Sequence, residues 1–574
     1  MRIRRSAALA APVMALALFA GACSGGGGGG DDEGGDTPTL ADIANSDTNP
    51  QERDSLQDGG TLNWAESTWI TQYQLFHTDG NLAVNVDILQ SVMPRAHNFD
   101  DEGNPTPYEP YVLESSVSDD GGTVTFTLNP EAEWSNGEPI TWEDYAAQVE
   151  ALSGRAEGDY GHGGSKDGYD DISEVEQGAD EYEVVFTFET PYGEWPGLFD
   201  VLYPKEYMED PDEFNEGYFE DIPVTAGPFE LDNLDKTTQR VTVVRDDDWW
   251  GEPAKLDSII FHTYENDAMA GVFVNEEIDA FYVGYDAPSY ERAQEREDAR
   301  IARAIDNGYR YIEINAGSGP LSDLDVRHAV TLGVDRSALA KASLEGVDWP
   351  SDPAVNRLVR SNQPAFQDNA GEWGERDTER AAQLLDEAGW TLEEGAEYRT
   401  KDGEQLTLDY VVPSGLQTTQ NEAEITQQML EEIGIEVTIN TVPSTGFFTD
   451  YIYTGNFDLS SFVQVGSTPY PGESYENYGG PFGETEDGEP DWGNNRGRTS
   501  TPEINDKYDE MLRETDPDRY YEIANEIDTL LWENAQGIPF FQRTGIWALK
   551  DDLANFGANG MSSIIYEDIG YQAE

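Results

Sequence analysis

The residue types that carry covalent or metal chemistry are few in this chain, and they are scattered. Its one cysteine, Cys23, has no partner for a disulfide, a CxxC pair or a zinc site. Five histidines (His77, His97, His162, His262 and His328) stand far apart and form no local metal-binding pattern. There is no Gly-x-Ser-x-Gly elbow, no His-Glu-x-x-His and no Gly-x-x-x-x-Gly-Lys-Ser/Thr loop, so the motifs of serine hydrolases, zinc proteases and ATPases are missing. Carboxylates are so abundant that any fold would bring some together, and a glycosidase pair is not singled out. Asp167-Gly-Tyr-Asp-Asp171 lacks the spacing of a calcium loop and reads as hydrated surface. What remains is recognition chemistry. Arg496, beside Asn495 in Trp492-Gly-Asn-Asn-Arg-Gly497, offers a guanidinium that can take a carboxylate bidentately; an ordinary salt bridge is the competing reading. The chain is expected to bind without catalysing.

Composition limits what could be bound. With 115 acidic against 33 basic residues the formal net charge is −82, which repels nucleic acid and anionic membrane as partners. The acids are spread through every segment, as in a solvated surface suited to high salt, where screening relieves the self-repulsion. Aromatics make up 11% of the chain, too many for an acidic disordered polymer. Tyr and Trp suit a cleft lining as well as a core, each having an apolar body and a polar handle. At 574 residues, two to four domains are expected.

The first residues read as an export signal. Arg2, Arg4 and Arg5 precede an apolar run from Ala7 to Ala20, too short and too rich in small residues to span a bilayer comfortably. The run ends in Phe19-Ala20-Gly21-Ala22-Cys23, which resembles the lipobox of bacterial lipoproteins, with Ala20 where leucine is usual. That resemblance implies cleavage after residue 22 and a diacylglycerol on the Cys23 thiol, anchoring the protein to the outer face of the cell membrane through lipid alone. Six glycines, Gly25 to Gly30, and an acidic polar stretch then suggest a flexible tether over 23–58.

From Gly59 the texture is that of a folded α/β body. A turn enters a first strand at Thr61-Leu-Asn-Trp64, and Val124, Phe126 and Leu128 alternate with the period of a half-buried strand. Another strand is expected over 182–188, and an exposed Gly/Asp-rich excursion over 154–173. Farther on, Asp377 can cap a helix with Ala381, Leu384, Leu385 and Ala388 on one face and Gly389 as its stop. Ile425, Met429 and Ile433 form a second stripe, stopped by Gly434, and the alternating Ile435, Val437 and Ile439 follow. Helix, glycine, strand is α/β architecture. No internal repeat of fixed period is visible.

Several segments, in order, resemble family 5 of the extracellular solute-binding proteins, which includes the oligopeptide- and dipeptide-binding proteins of ABC importers. Thr123-Val-Thr-Phe-Thr-Leu-Asn-Pro130 with Trp134-Ser-Asn-Gly-Glu-Pro-Ile-Thr-Trp-Glu-Asp144 resembles the family signature. Physically that signature is a strand, a turn at Asn136-Gly137 and a helix start with Thr141 and Asp144 at capping-box spacing. Ala226-Gly-Pro-Phe229, Trp249-Trp250-Gly251, Glu277-Ile-Asp279, Asp325-Val-Arg-His-Ala329, Val334-Asp-Arg336, Phe457-Asp458 and Ile538-Pro539 continue the series. The resemblance implies a two-lobed periplasmic-binding-protein-like fold (type II, cluster C-like) with a hinge and a β-rich domain inserted in the first lobe. Mapped onto this chain, lobe I is 59–95 with 225–305 and 530–574, the insert is 96–224 and lobe II is 306–529.

The same resemblance implies a monomer that encloses a small solute, peptide or similar, between its lobes without a cofactor, and delivers it to membrane permease subunits served by a cytoplasmic ATPase. Peptide-binding relatives carry Trp-x-x-Asp-Tyr-x-x-Pro in a lobe II loop, whose aspartate pairs with the peptide amine. Here that loop is Gln464-Val-Gly-Ser-Thr-Pro-Tyr-Pro471, with Gln464 at the tryptophan and Ser467 at the aspartate. Either another acid binds the amine or the ligand has none there. Gln464, Gly466, Ser467, Thr468 and Tyr470 are therefore candidate wall residues, with Asn495 and Arg496 near the opening. Trp64, Trp69 and Tyr73 follow the first strand, where the family places cleft residues; core packing explains them equally well. A cell-envelope regulatory or assembly lipoprotein with the same fold is the alternative.

Overall fold

Alternating and continuous apolar runs along the chain form fourteen principal strands, ten of which join one sheet. The computed structural model describes residues 39–162, 168–317, 319–466, 468–485 and 488–573. The signal segment, Cys23 and the first part of the expected tether lie outside them, as do Asp167 and Ser467. The large sheet takes β1 (Thr61–Glu66), β6 (Phe229–Asp235), β7 (Arg240–Arg245), β8 (Ser258–Thr263), β9 (Ala280–Tyr282), β10 (Ala299–Ile314), β11 (Thr407–Pro413), β12 (Glu436–Val442), β13 (Leu459–Val465) and β14 (Ile538–Lys550), in the order β12-β11-β13-β10-β14-β9-β1-β8-β7-β6. Two strands are long enough to serve both halves. β10 and β14 pair antiparallel from Ala299↔Lys550 to Ile312↔Ile538. At one end β14 also pairs with β9, and at the other β10 pairs with β13, from Gly308↔Val465 to Ile314↔Leu459. Between them the register shifts at Ile305/Tyr309, a bulge that places Asp306, Asn307 and Gly308 at the crossing.

The faces of β10 explain the far half. Tyr309 and Tyr311 pack into one apolar cluster with Phe462, Tyr508, Tyr520 and Ile527, while Ile312 and Ile314 join another with Val326, Leu385, Leu408 and Leu430. Helices therefore cover both sides of this half, including α2 (Thr378–Glu387), α3 (Gln417–Glu431), α4 (Pro502–Leu512) and α5 (Pro517–Glu533). α2 begins where Asp377 accepts from the Arg380 N–H, and the chain leaves it through Gly389 at φ +88°. Gly434 at φ +83° turns the end of α3 into β12, as the helix-glycine-strand pattern implied.

The remaining four strands make a separate small sheet: β2 (Val112–Val117), β3 (Thr123–Leu128), β4 (Ile172–Gln177) and β5 (Glu183–Phe188), in the order β2-β3-β5-β4. These are two hairpins of one design. Each strand of the second lies sixty residues after its counterpart, with the same burial pattern and the same irregularity, at Val112/Glu114 and at Ile172/Glu174. The repeat escaped the sequence reading because it conserves burial rather than identity. α1 (Trp142–Leu152) follows the first hairpin, its Thr141–Asp144 capping box formed, with the Thr141 N–H donating to Asp144 at 2.9 Å.

Part of the expected tether departs from expectation. Asp47 bridges to Ala558 and pairs with Arg300, Arg53 pairs with Asp568 at 2.7 Å, and Leu56 is buried against the C-terminal segment. Specific ion pairs and one apolar anchor thus dock residues 47–58, where composition alone had suggested a free chain.

Candidate functional site

The site is built at the crossing of β10 and β14. β13 ends at Val465 beside the bulge, and the loop that leaves it is held by Asn307. The Gly466 N–H donates to the Asn307 carbonyl at 2.9 Å, and the Asn307 amide donates to the Thr468 carbonyl. Arg360 Nε donates to the other end of that amide at 3.0 Å, fixing its orientation. A Cβ at Gly466 would come within 2.5 Å of Asn307 Nδ2, so a larger residue here would displace that amide.

This loop meets segments 99–103 and 192–197, which flank the small sheet. Tyr470 packs edge-on against Phe99, with ring centroids 5.7 Å apart. Gly103, at φ +88°, lies so close that a Cβ would sit 2.8 Å from Pro469. At the centre is Glu194, buried, its carboxylate accepting from the Gly472 N–H at 2.7 Å, the Tyr520 hydroxyl and the Tyr192 hydroxyl. Burial first, and Glu194's charge second, hold the Tyr520 hydroxyl protonated and so a donor. Gly193 adds a backbone bond to the Leu512 carbonyl at 2.6 Å. Beside this contact lies a cavity of about 210 Å³, lined in part by Asp170, Tyr192, Tyr475, Asp509 and Arg513. A larger groove of about 450 Å³ is an acidic surface around α4 that shares Asp509 and Arg513 with that cavity.

Arg496 lies on the other side of the loop's root. Its guanidinium is ringed by Phe462, Tyr453 and Phe448 at 5.2, 5.7 and 5.9 Å from the ring centroids. Gln464 Oε1 is 3.5 Å from Nη1. No carboxylate among the described residues lies within 4.0 Å of it, so the ordinary salt bridge does not form. Its nearest acid of note is Glu313, buried on β10 and accepting from the Tyr311 hydroxyl at 3.1 Å. Burial pushes the Glu313 carboxyl up to about 7, against the opposing charges of Arg496 and Arg357.

A folded-state value raised above that of the unfolded chain favours the neutral acid. The penalty is therefore absent below the ordinary carboxylate range and grows as pH rises toward 7. Glu313→Gln, which imitates the neutral acid, is expected to be more stable than the native protein by about 3 kcal/mol at pH 8, with little difference at pH 4.5. Urea unfolding at the two pH values checks this, and an equal difference at both would refute it.

The other expected residues are distributed differently. Trp64 is wholly buried in an apolar core, with Phe556, Phe261 and Trp547 at 4.6, 5.2 and 5.8 Å. Tyr73 is equally buried, while Trp69 is half-buried against the same cluster. Asn495 is buried and structural in its contacts, donating to the Gly479 and Thr499 carbonyls at 2.7 and 2.9 Å. The structure brings together Gln464, Gly466, Thr468, Tyr470 and Arg496, and adds Asn307, Glu194, Tyr520, Phe448 and Tyr453, which sequence reasoning had passed over. Glu313 carried a signal that went unused: an acid inside the apolar run Tyr309-Arg-Tyr-Ile-Glu-Ile314.

Two halves joined by two long strands, with a loop of one meeting the small-sheet segments of the other, define a two-lobed solute-binding architecture. The family profile described as "Bacterial extracellular solute-binding proteins, family 5 Middle" matches residues 107–486. The oligopeptide-binding protein OppA of Mycobacterium tuberculosis is 32% identical over 531 residues, covering 92% of this chain and 87% of that protein. Among solved structures, the periplasmic EDTA-binding protein EppA superposes with a TM-score of 0.81 at 22% identity, covering 92% of this chain and 98% of its own. The oligopeptide-binding protein AppA of Bacillus subtilis, in complex with a nonapeptide, gives 0.70 at 19%, covering 90% and 100%. The chain belongs to family 5 of the bacterial extracellular solute-binding proteins. No helix among its described residues is long and apolar enough to cross a membrane.

Proposed function

We propose that this protein captures peptides or similar solutes outside the cell and delivers them to the permease of an ABC importer. The observation that carries the reading is the 32% identity with a protein named for oligopeptide binding, over nearly the whole of both chains. The geometry supports it: the 464–472 loop and the Glu194 segment face each other across the two lobes and touch. In this reading lobe I is 59–95, 225–305 and 530–574, the insert is 96–224 and lobe II is 306–529. The bulged crossing of β10 and β14 is the hinge about which they close on solute. Gln464, Gly466, Ser467, Thr468, Tyr470 and Arg496 form one wall, with Asn495 holding its opening; Trp69 belongs to the facing side, with Trp64 and Tyr73 buried in the core behind it. Cys23 carries the lipid, and the protein works as an anchored monomer with no catalytic role. Relatives named for peptides and for EDTA share the fold, so this chain's own side chains must set its ligand.

Native mass spectrometry of the purified protein, followed by unfolding, tests this directly. A ladder of released peptides is the expected result. Release of a non-peptide solute would keep capture and discard the peptide. If nothing is released and no peptide pool raises the melting temperature, the regulatory reading replaces transport.

A further inference from the structure

Residues 39–57 form a strap across the junction of the two halves, and their partners change on the way. Leu56 bridges to Gln572, Arg53 pairs with Asp568, and Asp47 exchanges two backbone hydrogen bonds with Ala558, at 2.8 and 3.1 Å. These fasten the strap to the C-terminal segment, in the near half. Asp47 also accepts from the Arg300 guanidinium at 3.1 Å and from the Arg303 N–H at 3.0 Å, both on β10. The Ala44 carbonyl accepts from the Ile305 N–H at 3.3 Å, where the bulge begins. Beyond it the strap changes sides: the Leu40 N–H donates to the Asp352 carboxylate at 3.1 Å, in a coil of the far half. The Asp42 carboxylate closes this last turn, accepting from the Thr39 N–H and hydroxyl at 2.8 and 2.9 Å. Leu40 and Ile43 pack against an apolar cluster that holds Phe281 and Tyr290 of the near half and Leu339, Leu344 and Trp349 of the far one. The Arg303 side chain reaches the same coil, donating to the Asp348 carbonyl at 3.1 Å.

We propose that residues 39–46 are a latch across the hinge, holding the lobes in the arrangement where the 464–472 loop touches Glu194. Asp47 is its fixed end, and Leu40, Ile43 and Asp352 are its releasing end. Rotation about the bulge moves the 348–352 coil relative to the first part of β10, so one end of the latch must let go. The near end has an ion pair, two paired backbone groups and a bond to the Arg303 N–H. The far end has one exposed hydrogen bond and two half-buried apolar side chains, so it is the end that lets go. Contacts made in one arrangement and lost in the other bias the equilibrium by their differential free energy, and contacts this few bias it without locking it. The inference rests on the proposed lobe boundaries and hinge, and it requires no particular solute.

The test measures distances by pulsed electron paramagnetic resonance in the unliganded chain carrying Cys23→Ser, with spin labels at Thr238→Cys and Glu404→Cys. Those two positions are exposed, one on each proposed lobe. Leu40→Ala combined with Ile43→Ala is expected to raise the share of a second distance at least about threefold over the native background. Asp352→Ala cuts the latch from its other side and should raise the share of that same distance; it carries the test should the double variant fail to fold. A strap that only adds stability would lower Tm in these variants and leave the distance distribution unchanged, and that result overturns the latch. Glu194→Ala in the same background separates the two failures. If it raises the second distance while the strap variants do not, the hinge stands and the latch falls. If none of the variants raises it, the latch and the hinge reading fall together.

Discussion

Replacing Asp528 with alanine is expected to cost about 3–5 kcal/mol of folding stability. Asp528 on α5 and Arg357 in the coil before α2 are both wholly buried, their charged atoms 3.1 Å apart. The same carboxylate oxygen accepts from the Arg357 backbone N–H, so one residue fixes both the charge and the path of the coil. Arg357 in turn donates to the Gly537 carbonyl at 3.0 Å and lies 4.2 Å over the Trp532 ring. Removal of the acid leaves a guanidinium in the interior without its ion-pair partner, and such a charge is far more costly than the pair was favourable. Asp528→Asn should recover part of the loss by keeping an acceptor. The double change Asp528→Leu with Arg357→Met, which removes both charges, should recover more than either single variant. Urea unfolding of the set measures this; a loss below about 1 kcal/mol in Asp528→Ala would show that water reaches the pair.

How much of this was legible beforehand depends on whether the signal is local. The cap at Asp377, the stops at Gly389 and Gly434, and the Thr141–Asp144 box are written within a few residues each, and each formed. The paired hairpins were not seen because Val112 and Ile172, or Leu128 and Phe188, match only as buried positions. Asp47 and Arg53 read as tether because their partners, Arg300 and Asp568, lie hundreds of residues away. The site divides in the same way. Arg496 could be chosen by residue type, but whether an acid would satisfy it was a question about the fold, and the answer turned on the placement of Glu313 and the three rings. Glu194 had no local mark at all. Its donors at Gly472 and Tyr520 are 278 and 326 residues along the chain, and only the meeting of the lobes makes it distinctive.

That meeting predicts the largest functional effect. Glu194→Ala is expected to shift the unliganded protein toward open conformations and to weaken solute binding by roughly 30- to 1,000-fold. On the proposed lobe boundaries the N–H of Gly472 and the hydroxyl of Tyr520 reach Glu194 from the opposite lobe, and truncation leaves both buried donors without their acceptor whenever the lobes close. At about 1–2 kcal/mol for each orphaned donor, the closed arrangement loses about 2–4 kcal/mol relative to the open one, where water satisfies them. If, as proposed, solute is held by the closed form, the apparent affinity falls with the closed population. Glu194→Gln keeps an acceptor and loses the charge, so its effect should be smaller, near tenfold. A desolvation cost acts in the opposite direction, since closing must strip water from a carboxylate. With hydroxyl and backbone donors arranged around it, that cost is offset in the native protein, and the alanine variant retains none of the compensation. Small-angle scattering of unliganded native and variant protein reads the shift as a larger radius of gyration. An unchanged radius together with unchanged affinity would mean that closure is governed elsewhere along the interface, at Tyr470 and Phe99 or at Gly193 and Leu512.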